Sequence, residues 1–566
     1  MDTPSNKQTV LVDECTAPTR FPGRTSIQLL LLTVVALIAY SNSFHVPFIF
    51  DDETSITKNE VIRDLANFFT NRSGYDYLPN RFIGYLTFAF NYSFGGFNVV
   101  GYHVINLIIH LVNALFVYSF MRLTLRTPFF SESGQKTDGS GLHDYTFLPF
   151  FAALFFVCHP IQTQAVTYIV QRLTSLSTLF FMGSLLLHIR WRTARESGSA
   201  FTSGRVLPFF LLSLAMALLA MKTKEIAFTL PFVVLLYEIC FFGRPHMKRL
   251  AELMPMLLTM LIIPLTMITL NKPVSDIISD VSKVTTEGKL LSRWEYLCTQ
   301  FSVITTYIRL LLLPVNQNLD YDYPINRSLL EPRAFLSLSL LSALFALGVY
   351  LFFRSTGKIN SPAAVTDDLR SNIISARSSL PELRLAAFGI FWFFITLSVE
   401  SSLIPISDVI YEHRVYLPSV GFLVALTSLA FVGLKRMSIR IPSAHRAGVS
   451  LLLGVAVILT VTTYTRNNVW SSWESLWQDV QKNSPLKPRA YNNLGAYYVK
   501  QERPFEAIRE FEMSIRLNPQ YLDSLYNLAM LYVWAGRIPE AKQISDTLQK
   551  LDPETFKTLD AMYGNK

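Results

Sequence analysis

Long apolar stretches separated by polar loops dominate the first 464 residues of the chain. Eleven of them approach the roughly 20 residues that a helix needs to cross a bilayer. These stretches are 27–44, 101–123, 145–158, 173–191, 206–221, 226–242, 250–270, 334–353, 385–398, 416–433 and 449–464. The pattern predicts an all-α, polytopic membrane bundle with about 11 spans. We expect the stretch 145–158 to end at Pro160, because proline cannot donate a hydrogen bond within a helix.

Two further apolar stretches are predicted to lie at a membrane surface rather than to cross. The stretch 301–313 has only about 13 apolar residues, which favours a re-entrant or interfacial segment. If it crossed, the basic loops around Arg354 and Arg436 would fall outside, against the positive-inside rule. The aromatic stretch 82–92 has the composition of an interfacial helix.

The tail changes character at Thr465 and becomes polar and repetitive. Residues that match at a spacing of 34 are Pro485, Pro519 and Pro553, Asn493 and Asn527, Leu494 and Leu528, Gly495 and Ala529, and Ala507 and Ala541. A 34-residue helix-turn-helix period is the signature of tetratricopeptide repeats, and 473–480 then forms the second helix of a truncated leading repeat. We therefore predict a transmembrane domain over 1–464, with a first external loop over 45–100, and a tetratricopeptide-repeat module over 465–566.

Composition and charge agree with a membrane protein. Hydrophobic residues make up 51% of the chain and charged residues 16%, and the mean hydropathy is +0.32. The net charge of +9 does not indicate nucleic acid, because the basic residues lie mostly between the apolar stretches. Lys7, Arg20 and Arg24 precede the first span and predict a cytoplasmic amino terminus. The four cysteines have no CxxC spacing, so neither a zinc site nor a disulfide framework is indicated.

Under this topology, acids, bases and imidazoles gather at the outer ends of the spans. The first group is Asp51-Asp52-Glu53, directly after the first span. The others are Arg81, His103, His159, Arg172, Lys222, Lys224, Glu225, Asp320, Asp322, Glu412, His413 and Arg414. Arginine and lysine can bind a phosphate, and a carboxylate can accept a proton from a hydroxyl. The mixture of charges predicts an active site for a phosphorylated lipid.

Several of these residues also have a structural interpretation. Arg172 could extend to the headgroups, and His159 before Pro160 could be a satisfied turn residue. Lys222 and Lys224 break the positive-inside pattern, which favours a specific function. His110 lies in mid-span on one helical face with Asn106 and Asn113, and the default interpretation is that this polar stripe joins helices. No HExxH, GxSxG or Walker motif is present in the sequence, so protease and NTPase functions lack support.

Several motifs, in their order along the chain, resemble a known family. They are the acid pair Asp51-Asp52, Asn59, RFIGYLTFAFNY from Arg81, YHVINLIIH from Tyr102, HPIQTQAV from His159, Lys224-Glu225, and YEHRVYLPS from Tyr411. Together with the predicted repeats they resemble the transmembrane and tetratricopeptide-repeat O-mannosyltransferases and their bacterial relatives. These are C-type glycosyltransferases, and the resemblance covers nearly the whole chain.

The resemblance implies a membrane glycosyltransferase of the protein O-glycosyltransferase type. It implies a polyprenyl-phosphate-linked donor of mannose or a similar hexose, and an inverting transfer to hydroxyls of an exported protein, which the repeats could hold. Asp51 or Asp52 matches the catalytic acid, and Arg414 matches a phosphate-binding position in a stretch that here contains His413. Arg414, Lys222, Lys224 and Arg172 could stabilise the departing phosphate. A divalent metal on the acids is the alternative, but these cations make it unnecessary, so we expect no required cofactor.

Two other classes remain open. The first is a non-enzymatic scaffold, in which the membrane part only anchors the repeats for protein assembly. The second is a transporter of lipid-linked saccharide, which would need charges at the bilayer midplane, where the sequence offers mainly His110. We expect the active site and the repeats to lie on the extracytoplasmic side. The short repeat tail favours the bacterial inner membrane over the endoplasmic reticulum.

Overall fold

The fold is helical throughout, with one short β-hairpin. The computed structural model describes residues 22–134, 147–204, 206–243, 247–268, 284–286, 289–355, 380–402, 404–406 and 408–563. Lys7 and Arg20, the beginning of the predicted span 145–158 and the end of 250–270 lie outside these residues. In the described part, β1 (Val284–Thr286) and β2 (Lys289–Leu291) pair antiparallel, with Val284 opposite Leu291.

The α-helices of the membrane part follow the predicted apolar stretches closely. They are α1 (Pro22–Tyr40), α2 (Ala66–Phe69), α3 (Ser73–Tyr77), α4 (Phe82–Gly95), α5 (Val99–Thr124), α6 (Pro128–Gly134), α7 (Leu148–Cys158), α8 (Thr163–Val166), α9 (Arg172–Glu196), α10 (Leu207–Met221), α11 (Leu230–Phe241), α12 (Met247–Leu258), α13 (Ile262–Ile268), α14 (Arg293–Leu312), α15 (Pro332–Ser355), α16 (Glu382–Leu397), α17 (Tyr416–Arg440) and α18 (Ala444–Val469).

Short non-α helical turns occur where the chain bends between these helices. They are a π-helical turn at Glu53–Thr57 and 3₁₀ turns at Val61–Arg63, Pro79–Arg81, Pro160–Gln162, Ile169–Gln171, Glu225–Thr229, Thr259–Leu261 and Glu412–Val415. The predicted stop at Pro160 is confirmed: α7 ends at Cys158, and the chain from Pro160 to Val166 is bent away from it by 51°.

Six helices of the described chain are long and apolar enough to cross a membrane, or seven if the bent pair at Pro160 forms one span. Two shorter apolar helices, Thr25–Tyr40 and Leu207–Met221, match two more predicted spans. The two predicted spans that remain, 226–242 and 385–398, correspond to α11 and α16, which have 12 and 16 residues. The count of eleven spans therefore stays a prediction.

Burial orders the helices from the centre of the bundle to its edge. In the candidate span of α9, 83% of the residues are buried, whereas in that of α18 only 11% are buried. The exposed positions of α18 are apolar, for example Leu451, Val457 and Ile458, as expected for a face toward lipid. At the centre, the Nδ1 atom of His110 lies 2.7 Å from the Tyr416 hydroxyl, which also accepts a hydrogen bond from Asn113 at 3.1 Å. The predicted role of this polar stripe in joining helices is thus confirmed.

One end of the bundle collects the carboxyl ends of α1, α7 and α18 and the amino ends of α5 and α9. Asn467 of α18 donates to the Ala39 carbonyl at 2.9 Å, and Thr463 donates to the Cys158 carbonyl at 2.6 Å. Arg172 of α9 donates to the Tyr102 carbonyl of α5 at 3.0 Å. We call this end the site end, because the predicted outer residues lie here.

Helix α14 runs along the site end. The Tyr296 hydroxyl donates to the Glu400 carbonyl at 2.8 Å, and the Tyr307 hydroxyl donates to the Tyr411 carbonyl at 2.9 Å. Both acceptors belong to the segment 398–411 between α16 and α17, so α14 packs along that segment. Its re-entrant or interfacial course stays a prediction. The helix begins at Arg293 instead of residue 301, because Ser292 and Glu295 form a capping box that the apolar pattern does not reveal.

Six helices continue from α18 beyond the site end, and we call them the array. They are α19 (Trp473–Asn483), α20 (Pro488–Lys500), α21 (Pro504–Leu517), α22 (Leu522–Trp534), α23 (Ile538–Leu551) and α24 (Pro553–Tyr563). The helix α22 begins 34 residues after α20, and α23 begins 34 residues after α21. The matched columns are core positions: Leu494, Leu528, Ala507 and Ala541 are all buried. The assignment to the tetratricopeptide class stays a prediction.

A close crossing of α16 and α17 generates a test of the fold. A Cβ atom at Gly389 would collide with the Gly421 carbonyl and lie 2.8 Å from the Ala425 nitrogen, whereas a Cβ at Gly454 in α18 would meet nothing. Small residues allow membrane helices to approach closely. We expect Gly389→Ala to lower the free energy of unfolding by about 1–3 kcal/mol and Gly454→Ala to leave it unchanged. Thermal unfolding in detergent measures the difference, and equal midpoints for both variants would refute the crossing.

Candidate functional site

The acid loop, residues 41–53, leads from α1 into the candidate site. Phe50 has a φ of 54°, a left-handed conformation that is uncommon outside glycine. This turn directs the three acids away from α1. The Phe50 ring packs edge-on against the Trp477 ring of the array, with the two ring centres 5.6 Å apart, so the array helps to hold the turn.

Asp52 fixes the acid loop to the bundle. Its side chain is 1% exposed, and its two carboxylate oxygens accept hydrogen bonds from the backbone of Ile49 at 3.0 Å and of Val170 at 2.7 Å. Burial raises the pKa of Asp52 to about 8, against the effect of these two N–H groups. An enclosed carboxyl that keeps its proton near neutral pH holds the loop in place but is poorly suited to accept another proton.

Asp51 has the opposite environment. Its side chain is exposed, in a recess where protein surrounds it on most sides. Its backbone N–H donates to the Tyr168 hydroxyl at 2.9 Å. Burial in the recess and the nearby Asp408 raise the pKa of Asp51, while Tyr168, Arg489 and Arg81 oppose this shift. Asp51 is therefore the accessible carboxylate of the pair, with cations nearby.

Glu53 faces the array rather than the recess. Its carboxylate pairs with Lys58 at 3.0 Å and with Lys500 of α20 at 2.7 Å. Partial burial raises the pKa of Glu53, but hydrogen bonds from Lys500 and Lys58 outweigh it, so the net shift is downward. Glu53 is thus a link between the acid loop and the array.

The cation group of the site consists of Arg81, Lys224 and Arg414. Arg81 pairs with Glu225 at 3.3 Å, and Lys224 pairs with Glu400 at 3.1 Å. Lys224 also donates to Thr174 at 2.8 Å. With three cations and two carboxylates, the group carries one net positive charge.

Arg414 is oriented by its own loop. Its guanidinium donates to the carbonyls of Asp408 at 2.8 Å and Val409 at 3.1 Å, and it lies 5.5 Å from the Tyr411 ring. The neighbouring His413 stacks on the same ring at 5.2 Å. Lys224, Arg414 and Arg81 are close enough for their charges to act on the His413 imidazole. The predicted Lys224, Glu225, Arg81 and Arg414 are thus brought together.

The array adds a second charged group near Asp51. Arg489 of α20 pairs with Asp320 at 2.6 Å and with Asp408 at 2.7 Å, and Lys487 pairs with Asp320 at 3.2 Å. Burial raises the pKa of Asp408, but Arg489 outweighs it, and the net shift is downward. The array is therefore joined by ion pairs to two loops of the membrane part.

Other predicted residues lie at the site end but are engaged elsewhere. Arg172 is fully buried, donates to Asn106 and Asn91 at 2.6 Å each, and lies 4.7 Å from the Phe88 ring. This agrees with a role in joining helices; the guanidinium does not extend to the headgroups. Lys222 donates to Tyr75 and Thr266 at 3.2 and 2.8 Å, beside α13.

The two histidines that were predicted at outer ends of spans, His103 and His159, contact backbone groups. His103 Nε2 lies 2.8 Å from the Val46 carbonyl in the acid loop. His159 Nε2 lies 3.0 Å from the Leu311 carbonyl, and its Nδ1 accepts from the Ile161 N–H at 3.2 Å. Both contacts fit the satisfied turn residue that the sequence offered as the structural interpretation of His159.

Glu412 contacts the loop that follows α14, and Asp322 belongs to that loop. Glu412 is buried and accepts hydrogen bonds from Gln317 at 2.7 Å, the Asn318 N–H at 2.7 Å and the Tyr321 hydroxyl at 2.6 Å. Asp322 has an exposed side chain, and its backbone N–H donates to Ser484 at 2.9 Å. Glu412 thus orders the loop that carries Asp320.

Sequence reasoning missed several charged residues. Asp408, Glu400 and Arg489 take part in the site, but their pairing depends on how distant segments dock, and no local motif signals it. From the sequence, His110 was also the main ionisable residue predicted in mid-span. In the structure, buried Glu238 accepts from His188 at 3.0 Å and Arg192 at 3.1 Å, so a second buried polar group lies within the bundle.

The metal alternative receives no geometric support from the described chain, where no three His, Cys, Asp or Glu side chains are arranged to hold an ion. Asp52 uses both oxygens on backbone N–H groups, and Glu53 turns toward Lys500. Metal independence stays a prediction.

The contrast between the two aspartates can be tested by stability. In Asp52→Asn, the amide accepts from one backbone N–H and turns its own NH₂ toward the other. We expect this variant to lose about 1–3 kcal/mol of unfolding free energy, the cost of an unsatisfied buried group. The exposed Asp51→Asn serves as the matched control and should unfold like the wild type. Equal losses in both variants, measured by thermal unfolding in detergent, would contradict the assignment of Asp52 as the fixed residue.

No family model matches. No solved structure matches significantly. Protein O-mannosyl-transferase Tmtc3 of Drosophila melanogaster is 24% identical over 573 residues, which cover 95% of this chain and 60% of that protein. Protein O-mannosyl-transferase TMTC4 of Homo sapiens is 25% identical over 521 residues, covering 85% of this chain and 65% of that protein.

A third relative, Protein O-mannosyl-transferase TMTC3 of Mus musculus, is 25% identical over 570 residues, covering 93% of this chain and 55% of that protein. The chain thus spans about three fifths of the length of the curated relatives it matches. The resemblance inferred from the sequence motifs is confirmed: over most of its length, this chain is similar to the TMTC protein O-mannosyl-transferases.

Proposed function

We propose that this protein is a membrane glycosyltransferase that moves a hexose, mannose or a similar sugar, from a polyprenyl-phosphate donor to a protein hydroxyl. The observation that carries the proposal is the environment of Asp51: an exposed carboxylate close enough to Arg81 of the cation group and to Arg489 of the array for both charges to act on it. The names of the relatives support protein O-mannosyl transfer.

Asp51 acts as the general base. It takes the proton of an acceptor Ser or Thr hydroxyl while the hydroxyl oxygen attacks the anomeric carbon of the sugar. The bond from that carbon to the phosphate oxygen breaks, and its electron pair leaves with the lipid phosphate. Attack from the side opposite the leaving group inverts the anomeric configuration. Asp52 positions the loop that carries the base.

The cation group stabilises the departing phosphate. Arg414, Lys224 and Arg81 lie in one cluster, and an arginine can contact a phosphate through two parallel hydrogen bonds. Preorganised cations at the place where negative charge develops lower the barrier of the transfer. This electrostatic role makes a metal ion unnecessary, so no cofactor is part of the proposal.

The array holds the acceptor protein. A cleft of about 330 Å³ lies between the acid loop and the array, lined by Glu53, Trp473, Asn493, Ala496, Tyr497, Lys500 and Gln501. Amide and aromatic side chains suit an extended polypeptide, which needs hydrogen bonds for its backbone and flat surfaces for its side chains. Glu53 is two residues from Asp51, so a segment in this cleft can present a hydroxyl to the base.

The docking of the array disfavours the scaffold alternative. A detachable scaffold needs no contact with the loops of its anchor, yet Trp473 donates to the Phe48 carbonyl at 3.0 Å and Lys500 pairs with Glu53. For the transporter alternative, the buried Glu238 is paired with both His188 and Arg192, as expected for a group that joins helices.

A substitution of the base tests the proposal. We expect Asp51→Asn to lower transfer of a radiolabelled sugar from the polyprenyl-phosphate donor to an acceptor polypeptide by about 10²–10⁴-fold, because that is the usual contribution of a general base. Asp76→Asn is the matched control, since Asp76 lies in the same external loop in an exposed pair with Arg72. Full activity of Asp51→Asn would remove the proposed base.

The sidedness of the site gives an independent test. We propose that the acid loop and the array face the extracytoplasmic side, in the bacterial inner membrane rather than the endoplasmic reticulum. A cysteine at Asp523 in the array should then react with a membrane-impermeant maleimide in cells with a permeabilised outer membrane and an intact inner membrane. A cysteine at Arg436, near the opposite end of the bundle, should react only after lysis. Labelling of the second position alone would refute the proposed orientation.

A further inference from the structure

Arg489 is the central residue of the contact between the array and the membrane part. Its guanidinium bonds to Asp320 through Nε at 2.6 Å and Nη2 at 2.7 Å, and Nη2 also donates to Asp408 at 2.7 Å. It lies 5.5 Å from the centre of the Phe50 ring, next to Asp51. One side chain of the array thus contacts three separate segments around the candidate site.

We infer that Arg489 is a positioning residue for sugar transfer, which holds the segment of Arg414 and the acid loop in their working geometry. This inference rests on the proposed function. Arg489 itself contacts no reacting atom in this scheme; it acts through Asp408 on one side and through Phe50 on the other.

The first connection leads to the proposed phosphate-binding residue. The Asp408 carboxylate is held by Arg489 and by the Tyr411 hydroxyl at 2.9 Å, while the Asp408 carbonyl accepts from Arg414 at 2.8 Å. Without Arg489, the carboxylate of Asp408 loses its ion-pair partner and keeps only the weaker effect of Lys487, and the carbonyls that orient Arg414 lose their support. Lys487 still compensates Asp320, so the segment of Asp408 is the more affected.

The second connection leads to the proposed base. The charged and titratable groups that face Asp51 are Arg489 from the array, Asp408 and Tyr411 from the segment 398–411, Arg81 before α4, Tyr168 before α9, and the neighbouring Asp52. Arg489 favours the ionised form of Asp51, and Asp408 opposes it. Loss of the Arg489 charge therefore raises the pKa of Asp51, and the base is protonated over a wider acidic range.

These connections predict a particular pattern in the kinetics. Arg489→Met should raise KM for the lipid donor, lower kcat/KM on the order of 100-fold, as for a misplacement of about 1 Å, and move the acid limb of the pH profile upward. Arg489→Lys keeps the positive charge but loses the planar guanidinium that bonds to two carboxylates at once. The acid limb of this variant should therefore stay in place while KM for the donor still rises. The matched control is Arg503→Met, since Arg503 pairs with Glu474 and Glu506 within the array.

A second variant covers the case in which Arg489→Met does not fold. Asp408→Asn removes the like charge near Asp51, so the acid limb should move downward. An unchanged acid limb and an unchanged KM for the donor in Arg489→Met, or an unmoved limb in Asp408→Asn, would overturn the inference.

A measurement without turnover separates this inference from the proposed function. Amide hydrogen exchange of the peptide 404–414 should become faster in Arg489→Met and stay unchanged in Arg503→Met. If the wild type transfers no sugar but this exchange pattern holds, the proposed function fails while the positioning contact stands. If the wild type is active and exchange does not change in Arg489→Met, the inference is wrong and the proposed function is unaffected.

Discussion

The structure of the candidate site depends on one buried carboxylate. Asp52 holds the acid loop by accepting one backbone hydrogen bond from Ile49 and one from Val170, just before α9. Because α9 is the most enclosed of the candidate spans, the loop is attached to the most closely packed part of the bundle. The adjacent Asp51 is then free to face the recess, since its neighbour supplies the attachment. Two identical side chains in sequence thus take different roles because only one of them is enclosed.

Pairing of charges is the second constraint at this end of the bundle. Lys224 is buried, so its charge would be costly to desolvate without a partner. Arg81 is only partly exposed and is also paired with a carboxylate. Glu400 and Glu225 compensate them, and Arg414 donates to two backbone carbonyls. The result is a cation group that is mostly neutralised before any substrate arrives. One net charge is left over, and under the proposed function this modest attraction would let a product phosphate leave again.

Much of the fold could be predicted from the sequence, because apolar length and proline placement are local properties. The helix α7 ends at Cys158, where Pro160 required it, and α17 begins at Tyr416, where the apolar stretch begins. The start of α14 was missed because a polar capping box, not an apolar residue, sets it. The candidate site was predicted only in part. Residues at span ends could be collected, but Arg172 and His103 turned out to hold the bundle together.

The reason Arg489 could not be predicted is physical as well. On its own helix it follows Pro488 and looks like a solvated residue in the first turn of a repeat. Only the docking of α20 on the loops of Asp320 and Asp408 gives it partners, and that docking depends on side chains far apart in sequence. The same contact argues that the array is part of the site. An array that only tethered other proteins would gain nothing from a buried ion pair with two membrane loops, because desolvating such charges is costly. The desolvation of these charges is reasonable if the array must hold an acceptor hydroxyl at a fixed position next to Asp51.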